Sequence, residues 1–146
     1  MIKKAMLILG LSLTSCLAFA ADTLDGTKWK TIDDKTKKAL SIVQFTENSN
    51  GTFSAKIVKV LEPTEDSKCV KCEGKYKGKS LTGIQIVSGL KKVGKNTYEN
   101  GQIVDPQNGK TYSFKAKLSE DGKTFSGRGY LGVSALGRSQ TWIRAD

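Results

Sequence analysis

Cys69-Val70-Lys71-Cys72 is the most reactive arrangement in this chain, two thiols with two residues between them inside the polar, Lys/Gly-rich stretch 62–83. That spacing serves either a local disulfide or a thioredoxin-like redox pair. A redox pair opens a helix after a strand, whereas residues 73–79 are charged and broken by glycine. A disulfide between Cys69 and Cys72 is therefore the expectation, and a thiol oxidoreductase using the same pair the alternative. So small a ring contributes about 2 kcal/mol through chain entropy, enough to pin a loop. Zinc would require a second ligand pair that the chain lacks, so no metal or cofactor is expected. The sequence contains no histidine, which removes the commonest general base and triad partner. Catalysis would have to run on carboxylates, lysine or tyrosine. Asp105 reads as a turn cap, and Asp33, Asp34, Glu62, Glu65 and Asp66 as solvated charge, so a non-enzyme is expected.

The N-terminus sets the compartment. Lys3 and Lys4, an apolar run over 5–17, and Ala18-Phe19-Ala20 follow the order of a secretory signal peptide. Residues 1–20 are thus expected to be removed, leaving one domain over 21–146 in the periplasm or outside the cell. The apolar run is too short to span a bilayer, so no transmembrane segment is expected. Leu13-Thr14-Ser15-Cys16 also matches a lipobox, and acylation of Cys16 to give a membrane-anchored lipoprotein is the alternative. Export also makes a disulfide the default fate of paired cysteines. Loss of Lys3 and Lys4 lowers the net charge from +10 to +8. The basic residues are mostly scattered lysines, with arginine only at 128, 138 and 144, and an exported chain of that kind is not a nucleic-acid binder.

Beyond residue 27 the apolar residues recur every second position, the period of a strand, and nowhere at helical spacing for three turns. In 111–118, Tyr112, Phe114, Ala116 and Leu118 share one face while Thr111, Ser113, Lys115 and Lys117 share the other. Strands are predicted at 27–32, 40–46, 52–57, 84–90, 98–104, 111–118, 124–131 and 139–144. Asn50-Gly51, Asn108-Gly109 and Asp121-Gly122 are predicted to form type I′ hairpin turns between them. Local turns imply an antiparallel up-and-down order. Closing about eight such strands into a barrel hides their apolar faces and removes the edges, so an all-β barrel is the expected fold. Gly127, Gly129 and Gly132 suit its tight bends.

Several motifs resemble a bacterial exported family, domain of unknown function 2147. They are Gly26-Thr27-Lys28-Trp29, the Cys69–Cys72 loop, and the run Gly101-Gln102-Ile103-Val104-Asp105-Pro106-Gln107-Asn108-Gly109-Lys110-Thr111-Tyr112. Gly127-Arg128-Gly129-Tyr130-Leu131-Gly132 and Gly137-Arg138-Ser139-Gln140-Thr141-Trp142-Ile143-Arg144 complete the set. The resemblance implies a small exported barrel of lipocalin-like (calycin-like) appearance with no assigned activity. Lipocalins carry Gly-x-Trp on the first strand and an arginine on the last that packs across the Trp. Here Gly26 and Trp29 are one residue further apart, while Arg144 is suitably placed.

Trp29, Trp142 and Arg144 are expected to form a cation–π plug at one barrel end or the floor of a ligand site. Tyr112 joins the candidate ligand-binding set from its inward strand face. Arg128 and Tyr130, on one side of a glycine-rich strand, are candidates with Arg138 for an anionic site. The reading is a non-catalytic barrel that binds a small apolar or anionic ligand or an envelope component. A structural surface lipoprotein is a further alternative.

Overall fold

Alternating side chains become eight strands: β1 (Lys28–Ile32), β2 (Ala39–Glu47), β3 (Phe53–Val60), β4 (Gln85–Gly94), β5 (Thr97–Val104), β6 (Thr111–Leu118), β7 (Thr124–Tyr130) and β8 (Arg138–Arg144). The computed structural model describes residues 24–62 and 67–146 together with Gly10. The expected leader 1–20, Gly10 apart, and its Cys16 lie outside the described residues. Each strand pairs antiparallel with its chain neighbour, and β1 pairs with β8 to close the barrel. The seam runs through Trp29 opposite Arg144 and Lys30 opposite Ile143. Closure leaves no free sheet edge, the outcome that one apolar face per strand calls for.

The hairpin turns differ from the expectation. Left-handed backbone is found at Gly51, Gly109 and Gly122, with φ of 81°, 75° and 71°, but not at the preceding Asn50, Asn108 and Asp121. Type I′ needs positive φ at both central residues. Instead, the amides of Gly51 and Gly122 donate to the carbonyls three residues back, Asn48 and Ser119, at 2.9 Å each. These are type I turns followed by a left-handed glycine, which reverse the chain over one or two more residues. Asn50 and Asp121 side chains accept the amides of Thr52 and Lys123, so the polar residue caps the turn from outside its left-handed position.

Because every connection is a hairpin, the β1–β2, β3–β4, β5–β6 and β7–β8 connections share one end of the barrel. The remaining connections and the closing seam's Arg144 share the other. The two ends are built differently. At the second end the inward side chains are aromatic: Phe125 lies 5.1 Å from Phe45, 5.6 Å from Trp29 and 5.6 Å from Trp142, ring centre to ring centre. Phe53 and Tyr98 extend the cluster at 5.8 Å. Offset and tilted contacts of this kind add to the stabilisation from burial itself. Leu24, fully buried, covers this end, and Thr27 accepts the Trp29 indole N–H at 2.8 Å. On the outer face, Lys28, Lys30, Lys56, Lys59 and Lys117 are exposed, where a membrane-spanning barrel needs an apolar band. No described helix is long and apolar enough to cross a membrane.

Candidate ligand-binding cavity

Toward the first end the inward residues become small or branched, and the barrel opens into a cavity of about 860 Å³. Trp142 and Phe114 form its floor, stacked with ring centres 6.0 Å apart. Ile57, Val60, Ile86 and Ile103 line its walls. On β7 the inward positions are Gly127 and Gly129, and their missing side chains keep the space open. A Cβ on Gly127 would meet the Phe114 ring at 2.5 Å, so the floor ring occupies the place of that side chain. A Cβ on Gly129 would sit 3.5 Å from Ile103 and Tyr112, ordinary contact beside open volume. A volume of this size is within the range of small-molecule sites, which are mostly apolar with a few placed polar groups. Here those groups include the buried Thr31 and Ser41 hydroxyls, 2.7 Å apart, and Gln140, which accepts the Trp142 indole N–H at 3.3 Å.

The mouth is tied together by polar contacts between loops. Asp33, at the end of β1, accepts the amides of Lys35 and Thr36 at 2.7 and 2.9 Å. Those bonds, led by the Thr36 amide and joined by the Gln107 side chain, hold its carboxyl below the ordinary 3.8. Arg138, at the start of β8, lies 3.1 Å from Asp34 and 3.7 Å from Asp105. Asp105 also accepts the Gln107 amide at 2.9 Å, the capping role its turn predicted. A disulfide joins Cys69 and Cys72, with Cα atoms 5.3 Å apart. Its loop sits on the β5–β6 turn: Cys69 Sγ is 3.8 Å from the Pro106 carbonyl oxygen, and a Cβ on Gly109 would overlap the Lys71 carbonyl. The disulfide therefore shapes the rim of the cavity. Charges lining the cavity balance, Lys38, Lys68 and Arg138 against Asp33, Glu62 and Asp105.

The structure divides the residues singled out from the sequence. Tyr112, Arg138 and Trp142 line the cavity. Tyr112 accepts a hydrogen bond from the Asn108 side chain at 2.8 Å, at the rim. Trp29 and Arg144 lie beneath, at the filled end, with the guanidinium 5.3 Å from the Trp29 ring centre. Arg144 also pairs with Asp146. Arg128 and Tyr130 point outward from β7. Arg128 donates to the carbonyls of Ser134 and Ala135 at 2.5 and 3.3 Å and to the Ser139 hydroxyl at 2.8 Å, holding the short 3-10 turn Ser134–Leu136 against the barrel wall. Tyr130 carries Lys115 at 6.0 Å from its ring centre. The three residues expected to gather an anion are thus separated: the period of two sends positions 128 and 130 outward on β7, while Arg138 sits at the rim on its carboxylates. Asp33 and Asp34 tie loops together instead of being freely solvated. Ile57, Ile86, Ile103 and Gln140 were not singled out from the sequence. Their inward phase was visible, but not that this end is empty. Among the described residues no group of three or more His, Cys, Asp or Glu side chains could hold a metal.

An antiparallel eight-stranded barrel, packed solid at one end and hollow at the other, with a last-strand arginine over a first-strand tryptophan, is a lipocalin-like protein. The chain belongs to the family described as "Uncharacterized protein conserved in bacteria (DUF2147)", whose model matches residues 27–144. It is similar to a solved structure described as "Protein HP1028 from the human pathogen Helicobacter pylori belongs to the lipocalin family". The two are 27% identical with a TM-score of 0.73, covering 85% of this chain and 84% of that one. No curated protein matches the chain.

Proposed function

We propose that this protein is an exported, non-catalytic binder of a small, predominantly apolar molecule held in the open half of the barrel. The observation that carries the reading is the cavity of about 860 Å³ between a Trp142/Phe114 floor and aliphatic walls. The apolar ligand is favoured over an anionic one because the charged side chains lining the cavity balance and Arg138 is engaged by Asp34 and Asp105. Export to the periplasm or beyond is supported by the composition of residues 1–20 and agrees with the Cys69–Cys72 bond. The non-catalytic reading is supported by the absence of histidine and by the commitment of Asp33 and Asp105 to backbone bonds. Both cysteines are buried, Cys69 at 1% and Cys72 at 3% exposure, which supports a structural over a redox disulfide, since a catalytic thiol must be reachable.

The test is native mass spectrometry of protein from its own host, followed by titration of the stripped protein with unbranched alcohols of increasing length. Each added methylene should tighten binding about fourfold while the chain still fits, from about 0.8 kcal/mol per buried CH₂. A protein that carries no small molecule from its host, and whose affinity does not depend on chain length, would refute the reading.

A further inference from the structure

We infer that the open end of the barrel docks on the surface of an anionic lipid bilayer. Exposed apolar side chains are concentrated there. The four most exposed large ones among the described residues are Leu136 at 77%, Val70 at 74%, Val133 at 61% and Leu131 at 57%. Val70 is on the disulfide loop, and the other three are on the β7–β8 connection. All four therefore crown the cavity mouth. The less exposed ones, Val58, Val93 and Ile143, are isolated on the outer faces of strands.

The tips are held out rigidly. Val70 is fixed by the Cys69–Cys72 bond, and the Lys71–Cys72 peptide beside it packs on the β5–β6 turn. The β7–β8 connection is fastened by Arg128 through the carbonyls of Ser134 and Ala135. A Cβ on Gly137 would meet the Gly129 carbonyl oxygen at 2.5 Å, so this connection also lies directly on the sheet. Two pinned loops thus display apolar tips at one end of a barrel whose other exposed large apolar side chains are scattered singly.

Charge separates the two ends as well. The sequences of the four connections at the open end, 33–38, 61–84, 105–110 and 131–138, carry ten lysines and arginines against seven aspartates and glutamates. The segments at the filled end, 24–27, 48–52, 95–96, 119–123 and 145–146, carry two against four. The lysines are concentrated in the β1–β2 and β3–β4 connections, which include Lys35, Lys37, Lys71, Lys75, Lys77 and Lys79. A few apolar tips beside loops rich in exposed lysine is the composition by which peripheral segments bind anionic bilayers, the lysines at the headgroups and the tips between them. In that orientation the cavity mouth faces the bilayer, so an apolar molecule would pass between lipid and barrel without crossing water. The docking rests on the loops alone and does not depend on the cavity's being occupied.

The test is co-sedimentation of protein from its own host with phosphatidylglycerol/phosphatidylcholine vesicles, against phosphatidylcholine alone. Val70→Asp and Val133→Asp are the informative variants, because neither side chain lines the cavity and both are exposed enough to leave the fold intact, as a thermal melt will confirm. Wild type should bind the anionic vesicles, more weakly as salt rises, and the double variant at least about tenfold more weakly. That variant should still bind the alcohol series unchanged. Binding that survives both substitutions would place attachment elsewhere, for example in residues 1–20, and overturn the inference. So would equal binding to neutral vesicles, or retention on a soluble acidic polysaccharide with none on vesicles. Loss of alcohol binding by Gly129→Leu with vesicle binding retained would leave docking standing and locate the ligand separately.

Discussion

Gly129→Leu is the substitution that most directly tests whether the hollow end is a binding site. Gly129 is on the inward face of β7 in extended backbone, and its added Cβ would rest 3.5 Å from Ile103 and Tyr112 without overlap. Leucine is therefore sterically admissible, and its four carbons extend into volume that a ligand would otherwise fill. If each displaces one ligand methylene at about 0.8 kcal/mol, affinity falls by about 3 kcal/mol, roughly 200-fold. Gly129→Ala displaces one carbon and should cost about fourfold by the same reckoning. The fold should be no less stable, since an apolar cavity is being filled instead of created. The assay is titration with a medium-length alcohol, read through the fluorescence of Trp142 on the floor and checked by calorimetry, with urea unfolding in parallel. A folded Gly129→Leu protein that binds like wild type would refute the argument, because no ligand could then occupy the volume beside residue 129.

Gly109 and Gly122 form a matched pair: both have left-handed backbone, but only at Gly109 would a Cβ strike a neighbouring carbonyl, that of Lys71. Alanine should cost roughly 1–2 kcal/mol at either position for the backbone, with about 1–3 kcal/mol more at Gly109 for overpacking. Equal urea midpoints for the two variants would contradict the close seating of the disulfide loop. Replacing Cys69 and Cys72 by serine should remove about 2 kcal/mol of stability and loosen the rim while binding persists; host function lost in proportion to thiol redox state would favour an oxidoreductase. Folding lowers the pKa of Asp33, so its contribution to stability is complete above its unfolded value and is lost as pH falls through the lower folded one. Asp33→Ala should therefore be less stable than wild type at about pH 7, the gap narrowing in strong acid. A gap that widens in acid, measured by chemical unfolding at both pH values, would reverse the sign.

The strands were legible because side-chain direction alternates with every residue, so burial on one face writes itself into the order of types. In 111–118 that record is complete, and β6 has those bounds. β4 runs on to Gly94, past the predicted end at residue 90, because Lys91, Lys92 and Val93 are exposed and no alternation marks a strand that buries neither face. The turns were located by Asn-Gly and Asp-Gly, but their type depends on the residues spanned between paired strands, which the dipeptide does not record. Trp29 and Arg144 could be paired from their places on the first and last strands, since closure alone brings those together.

What the sequence determined by itself was the alternation, the count of strands and hence the closed sheet, together with the spacing that lets Cys69 reach Cys72. Tertiary structure alone decided that aromatic side chains from β1, β2, β3, β5 and β7 meet in one half, leaving the other hollow above Trp142 and Phe114. It also decided that Arg138 finds Asp34 and Asp105 while Arg128 holds a loop. The reason is geometric. Pattern tells which way a side chain points, but whether a volume is filled depends on the height at which eight staggered strands bring their inward residues together.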